Sequence, residues 1–428
     1  MWKNDRWKTV LLNIFLALLI IGILGGLGYF MLQVRQQTRE HDEQLSELYV
    51  QQQQQQTEAR QESVTAIQEE YDRDMQTVAQ YLPGIVCWGD SLTLGSSGNI
   101  SYPSVLKTYL DTYFCDIYDF RSTIPNADEY SRLKWDDYKV SVPVVNMGAA
   151  GESSYTVLGR CGAVPYVLKT AVVIPASTEP VEIRLTSESG KAVRPLIGGT
   201  AGVNNVWIAG IEGVLSLDSA SRSRGVDRYL FTRLEPGEET PVEAGEIVRT
   251  AGTDEYTDYI HVVCIGTYGS FSSPDDLVSQ VKKLLARQTN NSDRFIVLGL
   301  CGVDGAGYSA VWMDSIDTAM MQAFGNRYIN VRKYLIEDGL SDAGISPTNK
   351  DRNNLAIKKI PASFTSTASG VELNGKAYTL IGKLIYDRME SLGYFDEVYE
   401  ELSIRETTKQ ILKDDPGYFE RILTNTLK

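Results

Sequence analysis

Histidine is almost absent from this chain: there are two in 428 residues, His41 and His261. Any catalysis needing an imidazole has only those to draw on. No Cys/His pair is closely spaced, which excludes the usual zinc frameworks. Cysteine is sparse too, and its count of five is odd. Cys87, Cys264 and Cys301 lie in apolar runs, the setting of small buried thiols more than of a disulfide network. Basic residues are outnumbered, and a net charge of −14 argues against a nucleic-acid footprint or a polybasic membrane patch. The glycine-rich pieces near Gly199 and Gly302 lack the Lys-Ser/Thr that a phosphate-binding loop requires. No cofactor or metal is therefore expected.

Charge is missing altogether from residues 10–32, where Asn13 is the one strongly polar side chain. A helix of that length covers about 34 Å, enough for a hydrocarbon core of ~30 Å. Lys3, Arg6 and Lys8 precede it and favour a cytoplasmic N-terminus over residues 1–9. The rival is a cleavable signal peptide, which has a shorter apolar core and a small-residue cleavage site not seen after Leu32. We read residues 10–32 as an uncleaved single-pass transmembrane anchor, with the remainder extracytoplasmic.

Residues 33–82 contain neither glycine nor proline and include the glutamine run Gln51 to Gln56. Val64, Ile67, Tyr71, Val78 and Leu82 recur on one helical face. The expectation is a helical stalk that can pair as a short coiled coil and make a homo-oligomer. His41 belongs to its solvated surface.

Pro83-Gly84 ends the stalk. Apolar runs at Ile85–Trp88, Val142–Asn146, Tyr259–Ile265 and Phe295–Leu300 read as strands. Helices are expected around Tyr102–Tyr113, Pro274–Gln288, Ser309–Phe324 and Lys376–Leu392. This alternation predicts an α/β domain with a parallel sheet, split over residues 83–162 and 254–395. Between the halves, residues 163–253 are rich in Val, Ile, Thr, Gly and Pro, with alternation as in Val181-Glu182-Ile183-Arg184-Leu185. They read as an inserted β-rich domain without helices, either an embellishment or a wall beside the site. Residues 396–428 read as a helical, amphipathic tail.

The strand Ile85–Trp88 runs into Gly89-Asp90-Ser91-Leu92-Thr93-Leu94-Gly95, which presents a serine past a strand end. Val145-Asn146-Met147-Gly148-Ala149-Ala150-Gly151-Glu152-Ser153 follows the second strand, and Leu373-Asn374-Gly375-Lys376-Ala377-Tyr378 opens the last helix. In these blocks and their order, residues 85–395 resemble the SGNH (GDSL-type) esterase and lipase superfamily, in a membrane-anchored bacterial form with a β-rich insertion. The resemblance implies a flavodoxin-like three-layer fold and a serine esterase site. Ser91 takes the nucleophile position. Gly151 takes that of the oxyanion-hole glycine, whose N–H needs a close backbone approach no larger residue allows. Tyr268 stands where the family has asparagine, Ser369 where it has the acid, and Glu372 where it has the histidine.

A serine hydroxyl is a weak nucleophile without a base. His261 lies about five residues before its strand's carboxyl end, on the order of 15 Å below the edge where Ser91 emerges. Glu372 is either an atypical base or a remnant. Asp90 is a turn-fixing residue, and Asp304 either forms a turn or lines the cleft. Two expectations follow. The first is a catalytically impaired homologue that binds a cell-envelope glycan or partner protein. The second is an active serine esterase or O-acyltransferase on surface glycan or lipid esters, using Ser91 with an unusual base. A serine that merely caps the following helix is the bland alternative.

Overall fold

The computed structural model describes residues 4–95, 100–112, 120–217, 228–289, 293–301, 307–366, 372–404, 410 and 413–415. The chain divides into two compact units, Met1–Asp72 and Arg73–Lys428. A single helix runs from Asn4 to Tyr81. Its most apolar stretch has a mean hydropathy of 2.7, long and apolar enough to cross a membrane. No glycine in it meets a neighbouring side chain: a Cβ on Gly22, Gly25, Gly26 or Gly28 would touch nothing.

The end of that helix belongs to the second unit. Val78 and Leu82, from the stripe read as a coiled-coil face, are 2% and 0% exposed in its core, with Met75 and Tyr81 packed alongside. This part of the apolar face is thus used within one chain, because the parallel sheet offers it a larger apolar surface than two or three heptads can.

Five parallel strands build the main sheet: β1 (Ile85–Gly89), β2 (Val144–Gly148), β12 (Ile260–Cys264), β13 (Phe295–Leu298) and β14 (Tyr328–Ile329). Their order is β14-β13-β12-β1-β2, so chain order reverses between β1 and β12. Strand β2 begins two residues later than its apolar run predicts. Pro143 has no N–H to give the ladder, although its carbonyl still accepts from Ile85 N at 2.8 Å. Ile85 and Cys87 of β1 face one core, shared with the helices Tyr102–Asp111 and Gly375–Ser391. Val86 and Trp88 face the other, shared with Ser154–Arg160, Pro274–Leu285 and Ala310–Phe324. The period of two in the strands thereby buries both faces of the sheet.

Among the described residues nine strands lie between β2 and β12 in the chain. They are β3 (Tyr166–Leu168), β4 (Val172–Ile174), β5 (Val181–Ile183), β6 (Leu185–Ser187), β7 (Val206–Ile208), β8 (Ile211–Leu217), β9 (Tyr229–Arg233), β10 (Thr240–Val242) and β11 (Ile247–Thr250). Seven form an antiparallel sheet, β5-β9-β8-β7-β11-β3-β6, and β4 pairs with β10. In β9 the alternation is plain: Tyr229, Phe231 and Arg233 are buried, while Leu230 and Thr232 are half-buried. This region has its own core around Phe231, Val206, Ile208 and Leu215. At the other end of the chain, Val398, Tyr399, Leu402 and Ile404 pack into the core of the parallel sheet. The rest of the tail lies largely outside the described residues.

Candidate functional site

Ser91, Gly151 and Tyr268 follow the carboxyl ends of β1, β2 and β12, three adjacent strands. The strand order reverses between β1 and β12, a switch point at which the connections leave in opposite directions and where open α/β sheets commonly bind ligands. The turn after β1 is fixed by Asp90, whose carboxylate accepts from Leu92 N at 3.0 Å and from Thr267 N at 3.2 Å. Burial pushes this carboxyl up to about 6, against the pull of those hydrogen bonds. Asp90 thus ties the Ser91 turn to the loop that carries Tyr268.

That loop is held from the far side as well. Ser154 donates to the Gly269 carbonyl through its N–H at 3.2 Å and its hydroxyl at 2.9 Å. Tyr308 donates its hydroxyl to Gly266 O at 3.0 Å. With both flanks anchored, the Tyr268 hydroxyl stands 2.9 Å from Ser91 Oγ. Gly151 N–H donates to the same Ser91 oxygen at 3.1 Å. Ser91 and Tyr268 are half-buried and Gly151 is exposed, so the site is open to solvent.

Two glycines of the block after β2 do different work. A Cβ on Gly148 would overlap Leu94 N, because β2 abuts the short helix Ser91–Leu94. Gly151, for which a close approach was expected, has open space: a Cβ there meets nothing within 4 Å. Its requirement is conformational, a φ of +71° that turns the N–H toward Ser91.

Glu372 and His261 make contact with groups other than Ser91. Glu372 is exposed; its carbonyl accepts from Ser366 N at 2.8 Å and its carboxylate lies 3.4 Å from Ser366 Oγ. His261 is buried on β12, with Nε2 3.0 Å from Tyr256 O, and desolvation pushes its pKa down to about 4. His41 is exposed on the long helix. Ser369 and Asp304 lie outside the described residues. Cys87, Cys161, Cys264 and Cys301 are buried free thiols. Among the described residues no cluster of His, Cys, Asp and Glu is arranged to hold a metal ion.

A buried ion pair beneath the site has no motif in the sequence. Arg160, 1% exposed, donates from Nε to Glu152 Oε2 at 2.6 Å. Its other nitrogens donate to Gly89 O at 3.2 Å, Met147 O at 3.0 Å and Ala201 O at 3.0 Å. One guanidinium therefore joins the ends of β1 and β2 to the inserted region, with Trp88 5.7 Å beneath it. Thr250, at the end of β11, donates to Arg160 O at 2.6 Å. Lys191, in the turn after β6, lies 4.9 Å from the Tyr155 ring centroid. The insertion thus packs on the helix that directly follows the Gly151 loop. Asn146 completes the frame, accepting from Gly148 N at 2.9 Å and donating to Leu94 O at 3.2 Å.

The chain matches no protein-family model, no curated protein and no solved structure.

Proposed function

We propose that this protein is a membrane-anchored, extracytoplasmic SGNH-type hydrolase homologue whose cleft at Ser91 binds a cell-envelope glycan or partner protein without efficient turnover. The observation carrying this reading is the company Ser91 keeps. Its oxygen meets a phenol and a backbone N–H, while the imidazole of His261 is engaged with Tyr256 and the Glu372 carboxylate lies beside Ser366. Among the described residues no base is seen taking the seryl proton, and a serine without one retains roughly 10³–10⁴-fold catalysis over water at best, since triad members act as a unit. A flavodoxin-like doubly wound fold is supported by the strand order, which places the second strand of the sheet outside the first. Anchoring is supported by the apolar helix and the basic residues before it.

One observation favours the second reading, an active esterase or O-acyltransferase: two groups able to donate converge on the Ser91 oxygen. Treating the full-length protein in nanodiscs with a fluorophosphonate probe and an acetyl ester separates the two. Silence in the unmodified protein, with turnover appearing in the double change Ser369→Asp with Glu372→His, is the expected result. Labelling and turnover that vanish in Ser91→Ala would refute it in favour of an enzyme.

A further inference from the structure

The apolar stripe of the long helix ends in Val78 and Leu82, and the core of the parallel sheet takes both. The membrane-proximal part of the same helix has no such use within one chain: every residue from Arg6 to Glu62 is exposed. Past the apolar span, Val34, Leu45 and Leu48 are 42%, 52% and 61% exposed on a segment that stands in water. They fall into one series with Met31, Thr38 and His41, at alternating steps of three and four residues, the repeat of a left-handed coiled coil. No Asp, Glu, Lys or Arg stands in this series; Arg39, Glu40, Glu43 and Glu47 all fall outside it. Thr38 donates its hydroxyl to Val34 O at 2.8 Å, which leaves its methyl group for the seam. We infer that residues 31–48 form a parallel pairing seam, and that a second copy of this chain covers it.

The choice of occupant rests on the anchor in the function proposed above. Two copies held by the same apolar span point the same way and stand at the same height, so each seam residue meets its own counterpart: Leu45 meets Leu45 and Leu48 meets Leu48. A seam of about two and a half heptads is marginal for chains free in solution. Confinement to one bilayer raises the effective concentration, as a tether does, and makes a short seam sufficient. Its edges bring no like charges together, since Gln37 stands toward Asp42 and Gln44 toward Tyr49 across the pair. Thr38 and His41 are the polar positions of the seam; such positions fix register and pairing at a cost in stability. The sign of the His41→Leu effect is therefore distinguishing. Within the seam it tightens the pair, whereas on a solvated helix face it changes nothing.

Oxidative cross-linking of single-cysteine substitutions in the full-length protein, in native membranes, tests the seam; the unmodified protein sets the background, and its described cysteines are buried. His41→Cys, Leu45→Cys and Leu48→Cys should form disulfide-linked pairs at least about fivefold faster than Glu40→Cys, Glu43→Cys and Glu47→Cys, which lie off the seam. With Thr38→Cys as the reporter, Leu45→Glu combined with Leu48→Glu should slow cross-linking about tenfold or more, and His41→Leu should speed it about threefold or more. Each substituted side chain is exposed in the single chain, so a change in rate reports pairing and not a folding defect. Equal rates on all faces, no cross-linking above background, or indifference to both leucine and histidine changes would each overturn the inference. Alkaline carbonate washing separates the seam from the anchor. Protein released by the wash would sink the anchored reading; cross-links in the released protein that keep the three-and-four spacing would leave the seam standing, and their loss would overturn it too.

Discussion

Arg160→Met should be among the most costly single changes in this protein. The guanidinium is 1% exposed and its partner Glu152 8%, so both charges have left water. Removing the cation leaves a buried carboxylate unpaired, a loss of about 3–5 kcal/mol. The carbonyls it served share in that figure; Gly89 O keeps a second donor in Ala149 N at 3.2 Å, whereas Ala201 O loses the guanidinium bond. Burial already raises the Glu152 pKa, and Arg160 opposes that rise. Without Arg160 the folded-state value climbs further above the unfolded one. The folded protein then holds an extra proton between the two values, so stability falls as pH rises through that window. The cost should therefore be larger at about pH 8 than at about pH 5. Combining Arg160→Met with Glu152→Gln removes both charges and should recover about 2 kcal/mol relative to the sum of the single changes. Urea unfolding followed by tryptophan fluorescence measures all three at both pH values. A cost below about 1 kcal/mol, no pH dependence, or simple additivity would refute the reasoning.

Other outcomes are as specific. Gly148→Ala, whose Cβ would overlap Leu94 N, should cost about 3 kcal/mol or more as overpacking against backbone; Gly151→Ala should cost only about 1–2 kcal/mol, the strain of a left-handed φ, and thermal melts rank the two. For Asp90, the folded pKa of about 6 lies above the unfolded one, so its contribution falls by up to about 3 kcal/mol as pH rises from about 4 to about 6. Asp90→Asn should flatten that slope, and an unchanged slope in urea midpoints would show that another group sets it. External protease added to intact cells should digest the unit Arg73–Lys428 if the N-terminal helix is an anchor with its basic flank inside; full protection would reverse the proposed topology.

The long apolar run, the strand and helix segments and the serine past the first strand were all legible because each is a local pattern. Hydropathy over about twenty residues marks the N-terminal helix, and periods of 2 and 3.6 mark strands and helices. Ser91 and Gly151 stand in short blocks lying immediately after strands, and the role of Gly151 is what the resemblance of those blocks implies. The boundaries of β2 depended on Pro143, whose missing N–H was there to be read. By contrast β14 has only two residues, too short for any periodicity. It is a strand through its pairing with β13, with Gly299 N donating to Ile329 O at 2.8 Å, while Tyr328 donates to Asp317 at 2.7 Å and Asp317 is paired with Arg332 at 2.9 Å.

What the sequence by itself determined is an apolar N-terminal helix, an alternating α/β chain interrupted by a β-rich stretch, and a serine without an evident base. The tertiary structure alone decided which group meets that serine. Tyr268 is 177 residues away and reaches it because β12 pairs with β1 in register from Ile85–Ile260 to Gly89–Cys264. The use of Val78 and Leu82 in the core, the conformational need at Gly151 and the clasp made by Arg160 were decided the same way. Each depends on surfaces brought together by the sheet, and no local pattern encodes a contact between segments that meet only after folding.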